Sequence, residues 1–177
     1  MDLAGPPPIV AVPAARYPRV RGRRVIIGVP GVGFRGDLRA DDAVVQGSRT
    51  FIPVLTEQDY YRAELRRIET FAVLVPIDRV WVEEAEPVGV DASQPLDAPL
   101  SRQPAAVLAS GPVMGRRVIQ AVDDGYLRDL RAVSDVHVSH SGTACVRVCA
   151  ESAWYAWGID GSTPTSTEVS VDQLWVE

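Results

Sequence analysis

Several residue groups in this chain have types and spacings that can do chemistry. Gly31-Val32-Gly33-Phe34-Arg35-Gly36 follows an apolar stretch and spells G-x-G-x-x-G, and Glu57 lies further on, where a ribose-binding acid would stand. A dinucleotide fold, however, needs a helix opening at the third glycine and a sheet of several parallel strands. Pro30 precedes the motif, and the expected reading is a glycine-rich hairpin loop. Cys145 and Cys149, with His137 and His140, have the side chains of a zinc site. Two residues four apart on a strand lie about 13 Å from each other, too far to share one ion or a disulfide. Reduced packing cysteines are expected instead. No serine sits in a G-x-S-x-G elbow, and both histidines fall in one half of the chain. The expectation is a non-enzymatic chain with no catalytic residue, no metal and no small-molecule cofactor.

Two further groups suit binding. Arg16, Arg19, Arg21, Arg23, Arg24, Arg35 and Arg39 face a single acid, Asp37, over residues 16 to 39. Such a strip can hold phosphates, and Arg19, Arg21, Arg23, Arg24, Arg35 and Arg39 are the candidate nucleic-acid contacts. The net charge of −5 opposes this reading, although a local field can override it. Trp154-Tyr155-Ala156-Trp157 is the densest aromatic cluster, and it matches Tyr60-Tyr61-Arg62-Ala63. Trp154, Trp157, Tyr60, Phe34 and Tyr126 are the candidate contacts for a protein or peptide partner, because aromatic side chains anchor interfaces. Tyr61 and Tyr155, present in both clusters, are expected to seat a helix.

The elements that must position these residues come from a duplication. Gly22-Arg23-Arg24-Val25-Ile26 returns as Gly115-Arg116-Arg117-Val118-Ile119, Asp37-Leu38-Arg39-Ala40 as Asp129-Leu130-Arg131-Ala132, and Trp81-Val82-Glu83 as Trp175-Val176-Glu177. Between these anchors Glu57 meets Glu151, Tyr61 meets Tyr155 and Asp78 meets Asp172. The organisation expected is an N-terminal Pro/Arg-rich segment (1–21), a first repeat (22–84), a Pro/Ala-rich linker (85–114) and a second repeat (115–177). Ile9, Val10 and Val12 have the pattern of an added edge strand. All 18 basic residues are arginine and asparagine is absent, as a GC-rich genome of the actinobacterial kind would produce. Apolar runs are too short to span a membrane, and a cytoplasmic protein is expected.

Each repeat is near the lower size limit for its own core, which favours a small barrel. Residues 24–29 and 117–122 alternate as strands, and 38–45 and 50–55 flank the turn Gln46-Gly47-Ser48. Thr56 and Asp59 cap a short helix, which Gly158 and Gly161 should shorten in the second copy. A strand over 71–75 then leads through Pro76-Ile77-Asp78-Arg79, a single tight turn, into the closing strand Val80-Trp81-Val82. This ending resembles that of SH3-like and Tudor-like barrels, as does Asp123-Asp124-Gly125-Tyr126 followed by Arg131-Ala132. The resemblance implies a mainly β fold of two tandem SH3-like barrels, the first with a short inserted helix, working as an adaptor for a protein or peptide. Nucleic-acid binding is the alternative. Trp175 is expected in the second core.

Overall fold

The computed structural model describes residues 5–85 and 98–177, and these divide into two compact units. Residues 9–85 and 98–101 form the first; residues 5–8 and 102–177 form the second. Both are mainly β, each a curled antiparallel sheet of seven strands with one helix.

In the first unit the strands are β1 (Ile9–Pro13), β2 (Arg24–Val29), β3 (Gly33–Ala40), β4 (Val44–Gln46), β5 (Arg49–Thr56), β6 (Val73–Pro76) and β7 (Val80–Ala85), with helix α1 (Glu57–Arg66) between β5 and β6. The sheet runs β1-β7-β2-β3-β5-β4, and β6 pairs with the other side of β5. β7 therefore returns to the first hairpin, which curls the sheet into a small barrel. The turn into β7 forms as the sequence predicts: Pro76 precedes one 3-10 turn, Ile77–Arg79. The glycine motif is the β2–β3 hairpin, with Val29 opposite Gly33 and positive φ at Gly31 and Gly33. The stretch predicted as one strand, 38–45, is two. β3 stops at Ala40, and the Asp41 N–H turns to the Pro53 carbonyl at 2.8 Å before β4 begins.

The second unit repeats the plan with β8 (Ala105–Ala106), β9 (Arg117–Val122), β10 (Gly125–Ala132), β11 (His137–Val138), β12 (Ala144–Ala150), α2 (Glu151–Asp160), β13 (Thr167–Ser170) and β14 (Leu174–Val176). Its helix is not shortened; α1 and α2 both have 10 residues. Gly158 lies inside the last turn of α2, and Gly161 follows it at φ 75° as the left-handed cap, its N–H donating to the Trp157 carbonyl. The glycines end the helix where α1 also ends, on Arg67 at φ 51°. Asp37 and Asp129 share an unusual conformation, φ 59° and 60°, at the bulge of β3 and of β10. Aspartate tolerates the left-handed region better than most residues, which accounts for its presence in both copies.

The repeat is longer than its sequence anchors mark. β1 pairs with β7 and β8 with β14, and a 3-10 turn follows each leading strand, Ala14–Arg16 and Val107–Ala109. Val107 and Val113 belong to the second core, with Val118, Val146, Leu174 and Val176. Of the predicted linker, residues 86–97 lie outside the described residues. The closing strands place Val80, Val82, Leu174 and Val176 in the cores. Trp81 and Trp175 are buried on the opposite face, where period-two alternation must put them. Trp175 is buried, as expected, but on the opposite face of the closing strand from Leu174 and Val176.

Candidate binding surfaces

Four of the polar residues common to both copies form a buried cluster in each unit. Glu57, the first residue of α1, brings its Oε1 to 3.8 Å from Arg24 Nε and 3.6 Å from Arg39 Nε. Arg39 Nη1 donates to the Gly22 carbonyl at 2.7 Å and its Nη2 to the Tyr61 hydroxyl at 3.3 Å. In the second unit Glu151, Arg117, Arg131, Tyr155 and the Gly115 carbonyl repeat this, with Arg131 Nε 2.9 Å from Glu151 Oε1. Each carboxylate sits at a helix N-terminus, where the helix dipole also favours negative charge. The cluster ties the helix start, the first hairpin and the glycine turn together, so Tyr61 and Tyr155 do seat the helices.

This placement divides the arginine strip into two buried residues and four exposed ones, Arg19, Arg21, Arg23 and Arg35. Arg24 and Arg39 are 5% and 4% exposed, spent on Glu57, and present nothing to a phosphate. Arg23 pairs with Glu84 and stacks on Tyr17 at 4.5 Å. Arg21 lies 3.3–3.6 Å from Asp41, Asp42 and Glu64. Arg19 and Arg35 are exposed. The six arginines do not share one open face.

The aromatic candidates also separate. Tyr60 and Trp154 occupy equivalent places over the glycine turns: a Cβ on Gly22 would lie 3.0 Å from the Tyr60 hydroxyl, and one on Gly115 would lie 3.5 Å from the Trp154 ring. Trp154 and Trp157 meet edge to face at 5.6 Å and are half-buried. Phe34 instead meets Trp81 at 5.5 Å, and Tyr126 meets Trp175 at 6.2 Å. In the first unit Ala98 is buried beside Trp81 and Ala11. In the second, a Cβ on Gly5 would lie 3.4 Å from Trp175 Nε1. Cys145 and Cys149 are free and buried, and burial pushes the Cys149 thiol up. His137, on the strand next to Cys145, is held by Glu168 rather than by either cysteine.

One surface went unnoticed in the sequence. On the face of the β4-β5-β6 sheet opposite the core, the first unit places Val44, Phe51 and Pro76 in one row and Pro53 and Leu74 in the next. The corresponding rows of the second unit hold His137, Cys145 and Ser170, then Arg147 and Glu168. There His137 Nε2 is 3.0 Å from Glu168 Oε1 and Arg147 Nε is 3.5 Å from it. Leu74, 42% exposed, lies on this face; Phe71, 91% exposed, stands just before β6, and Val73, 65% exposed, is an exposed apolar residue at the start of β6 on the side that pairs with Val54. In the second copy Thr165, Thr167 and Glu168 stand at those places. The signal was available, since aligning the copies shows Phe-Ala-Val-Leu against Thr-Ser-Thr-Glu.

No protein-family model, curated protein or solved structure matches this chain.

Proposed function

We propose that the chain is a non-enzymatic adaptor that binds a protein partner through the apolar β4-β5-β6 face of its first unit. The observation that carries this is the comparison between the copies. The same barrel folds with an ion-paired face in the second unit, so the scaffold does not require Phe71, Val73 and Leu74 to be apolar. Water-exposed apolar side chains clustered on a sheet edge mark an interaction site, and an edge strand accepts an added strand. Trp154 and Trp157, half-buried on α2, are a second candidate contact in the other unit. The two free, buried cysteines suit a reducing compartment such as the cytoplasm.

The test is capture of partners from a native extract, with and without nuclease, by the wild-type chain and by Phe71→Thr/Val73→Thr/Leu74→Glu. Partners retained after nuclease and lost on the triple substitution support the reading. Partners lost on nuclease treatment would favour nucleic-acid binding through Arg19 and Arg35 instead, and partners indifferent to the substitution would move the site elsewhere.

A further inference from the structure

The second unit holds a short segment of its own chain in a way that describes a ligand. Gly5-Pro6-Pro7-Pro8 is extended by covalent rule, because proline fixes φ near −65° and keeps the residue before it out of the helical region. Its three prolines have no N–H, so carbonyls are the backbone handles they offer. Two successive carbonyls are used: the Tyr126 hydroxyl donates to the Gly5 carbonyl at 3.2 Å, and Gln103 Nε2 donates to the Pro6 carbonyl at 2.9 Å. Pro6 is buried, and Gly5 lies so close to the Trp175 indole that a Cβ would already be at contact distance.

Comparison of the copies separates recognition from covering. In the first unit Ala98-Pro99 takes the equivalent position, with Ala98 beside Trp81 and Pro99 buried. The residues matching the two donors there are Phe34, which has no hydroxyl, and Val10, which has no amide. The donors are therefore present in the second copy and not in the first. We propose that Tyr126, Trp175 and Gln103 form a recognition site for an extended Gly-Pro segment of another protein, which the chain's own residues 5–8 occupy until displaced. A preformed extended segment loses little entropy on docking, and an added Cβ at Gly5 would stand in contact with the Trp175 indole, so a larger side chain there is the test of selectivity. The site lies in the other unit from the apolar face and does not rest on it.

The test uses an end-blocked peptide of residues 1–8 as the probe, with binding to isotope-labelled full-length chain followed by NMR at the Gln103 side-chain amide. Gly5→Leu in the full chain puts a bulky side chain against the Trp175 ring and is expected to open the site. The peptide should bind this variant at least about tenfold more tightly than the wild type, where the tethered segment competes at a high effective concentration. Adding Tyr126→Phe and Gln103→Ala should weaken it again by roughly tenfold or more. The same peptide with leucine in place of Gly5 should not bind. Deletion of residues 1–8, which stops short of β1, is the second way to open the site if Gly5→Leu does not fold. Equal affinity for wild-type and opened chains, no binding to a folded opened chain, or indifference to Tyr126→Phe/Gln103→Ala would each overturn the proposal. Wild-type dimers that Gly5→Leu dissociates would put residues 5–8 of a second copy in the site, and would overturn it too.

Discussion

Glu57 and Glu151 are buried, and each compensates two arginines inside the fold. Removing one carboxylate leaves two guanidinium groups buried together. Glu57→Ala should cost about 3–5 kcal/mol in a urea melt, a large part of the stability of a small domain. A midpoint shift corresponding to less than about 1 kcal/mol would mean the arginines have other adequate compensation. Recurrence of Arg24 and Arg39 with the shared acids points to ion pairs within the fold, but not to Glu57 as the common partner, because nothing in a linear spacing shows that the three converge. His137 and Glu168 make a different kind of pair, at the surface. The Glu168 carboxylate, and then the Asp135 carbonyl, hold His137 above its ordinary value near 6.5, while His137 and then Arg147 hold Glu168 below the usual carboxylate range. The histidine's contribution to stability is therefore full below about 6.5 and fades as pH rises through its raised folded value; that of Glu168 is lost as pH falls through its lowered one. An NMR titration of the His137 ring should show a midpoint above about 6.5, moved down by Glu168→Gln. A midpoint that does not respond to that substitution would rule the pairing out.

At the scale of elements, α1 and α2 have equal length but unequal beginnings. Thr56 Oγ1 accepts the Asp59 N–H at 3.2 Å, whereas Ala150 caps α2 without a side-chain bond. Thr56→Ala should therefore destabilise the first unit by about 1 kcal/mol, and Ala150→Thr should stabilise the second by a similar or smaller amount. Thermal melts of the full chain check both, and a destabilising Ala150→Thr would show that the β12–α2 corner has no room for the branched side chain. The capped helix, the Gln46-Gly47-Ser48 hairpin and the Pro76 turn were legible because each depends on residues within four positions of one another. The break between β3 and β4 was not, because it depends on the carbonyl of Pro53, twelve residues away from Asp41. The length of α2 was misjudged for a local reason: a glycine inside a helix lowers its stability without ending it. The burial of Trp175 was legible, and its face follows from alternation, since Leu174 and Val176 cannot share a face with the residue between them.

For the molecule as a whole, the duplication was the most legible feature, and it was also truncated by composition. Apart from Ile9, Val10 and Val12, whose edge-strand pattern is borne out by β1, residues 5–21 and 98–114 carry prolines and little apolar period, yet they supply β8, the 3-10 turns and the segments against Trp81 and Trp175. Docking through proline rings and carbonyls leaves no periodic trace for a sequence reading to find. No helix among the described residues is long and apolar enough to cross a membrane.

Two copies of one scaffold also supply an internal control that a single domain lacks. Because β13 holds Thr167 and Glu168 in the register where β6 holds Val73 and Leu74, the second copy's residues fit that strand geometry. Transplanting them, as Phe71→Thr, Val73→Thr and Leu74→Glu, should leave the first unit folded, with a stability change within about 1 kcal/mol, since substitutions at exposed sites are usually small. Binding of a dye that reports exposed apolar surface should fall. The reverse transplant, Thr167→Val with Glu168→Leu, should raise dye binding, leave the sheet intact by circular dichroism, and release His137 from the carboxylate that holds its titration up. The two exchanges together separate a face shaped for a partner from a face the fold itself needs. If the first transplant unfolds its unit while the reverse is harmless, Phe71, Val73 and Leu74 are structural residues of the first barrel, and the β4-β5-β6 face is not where a partner docks.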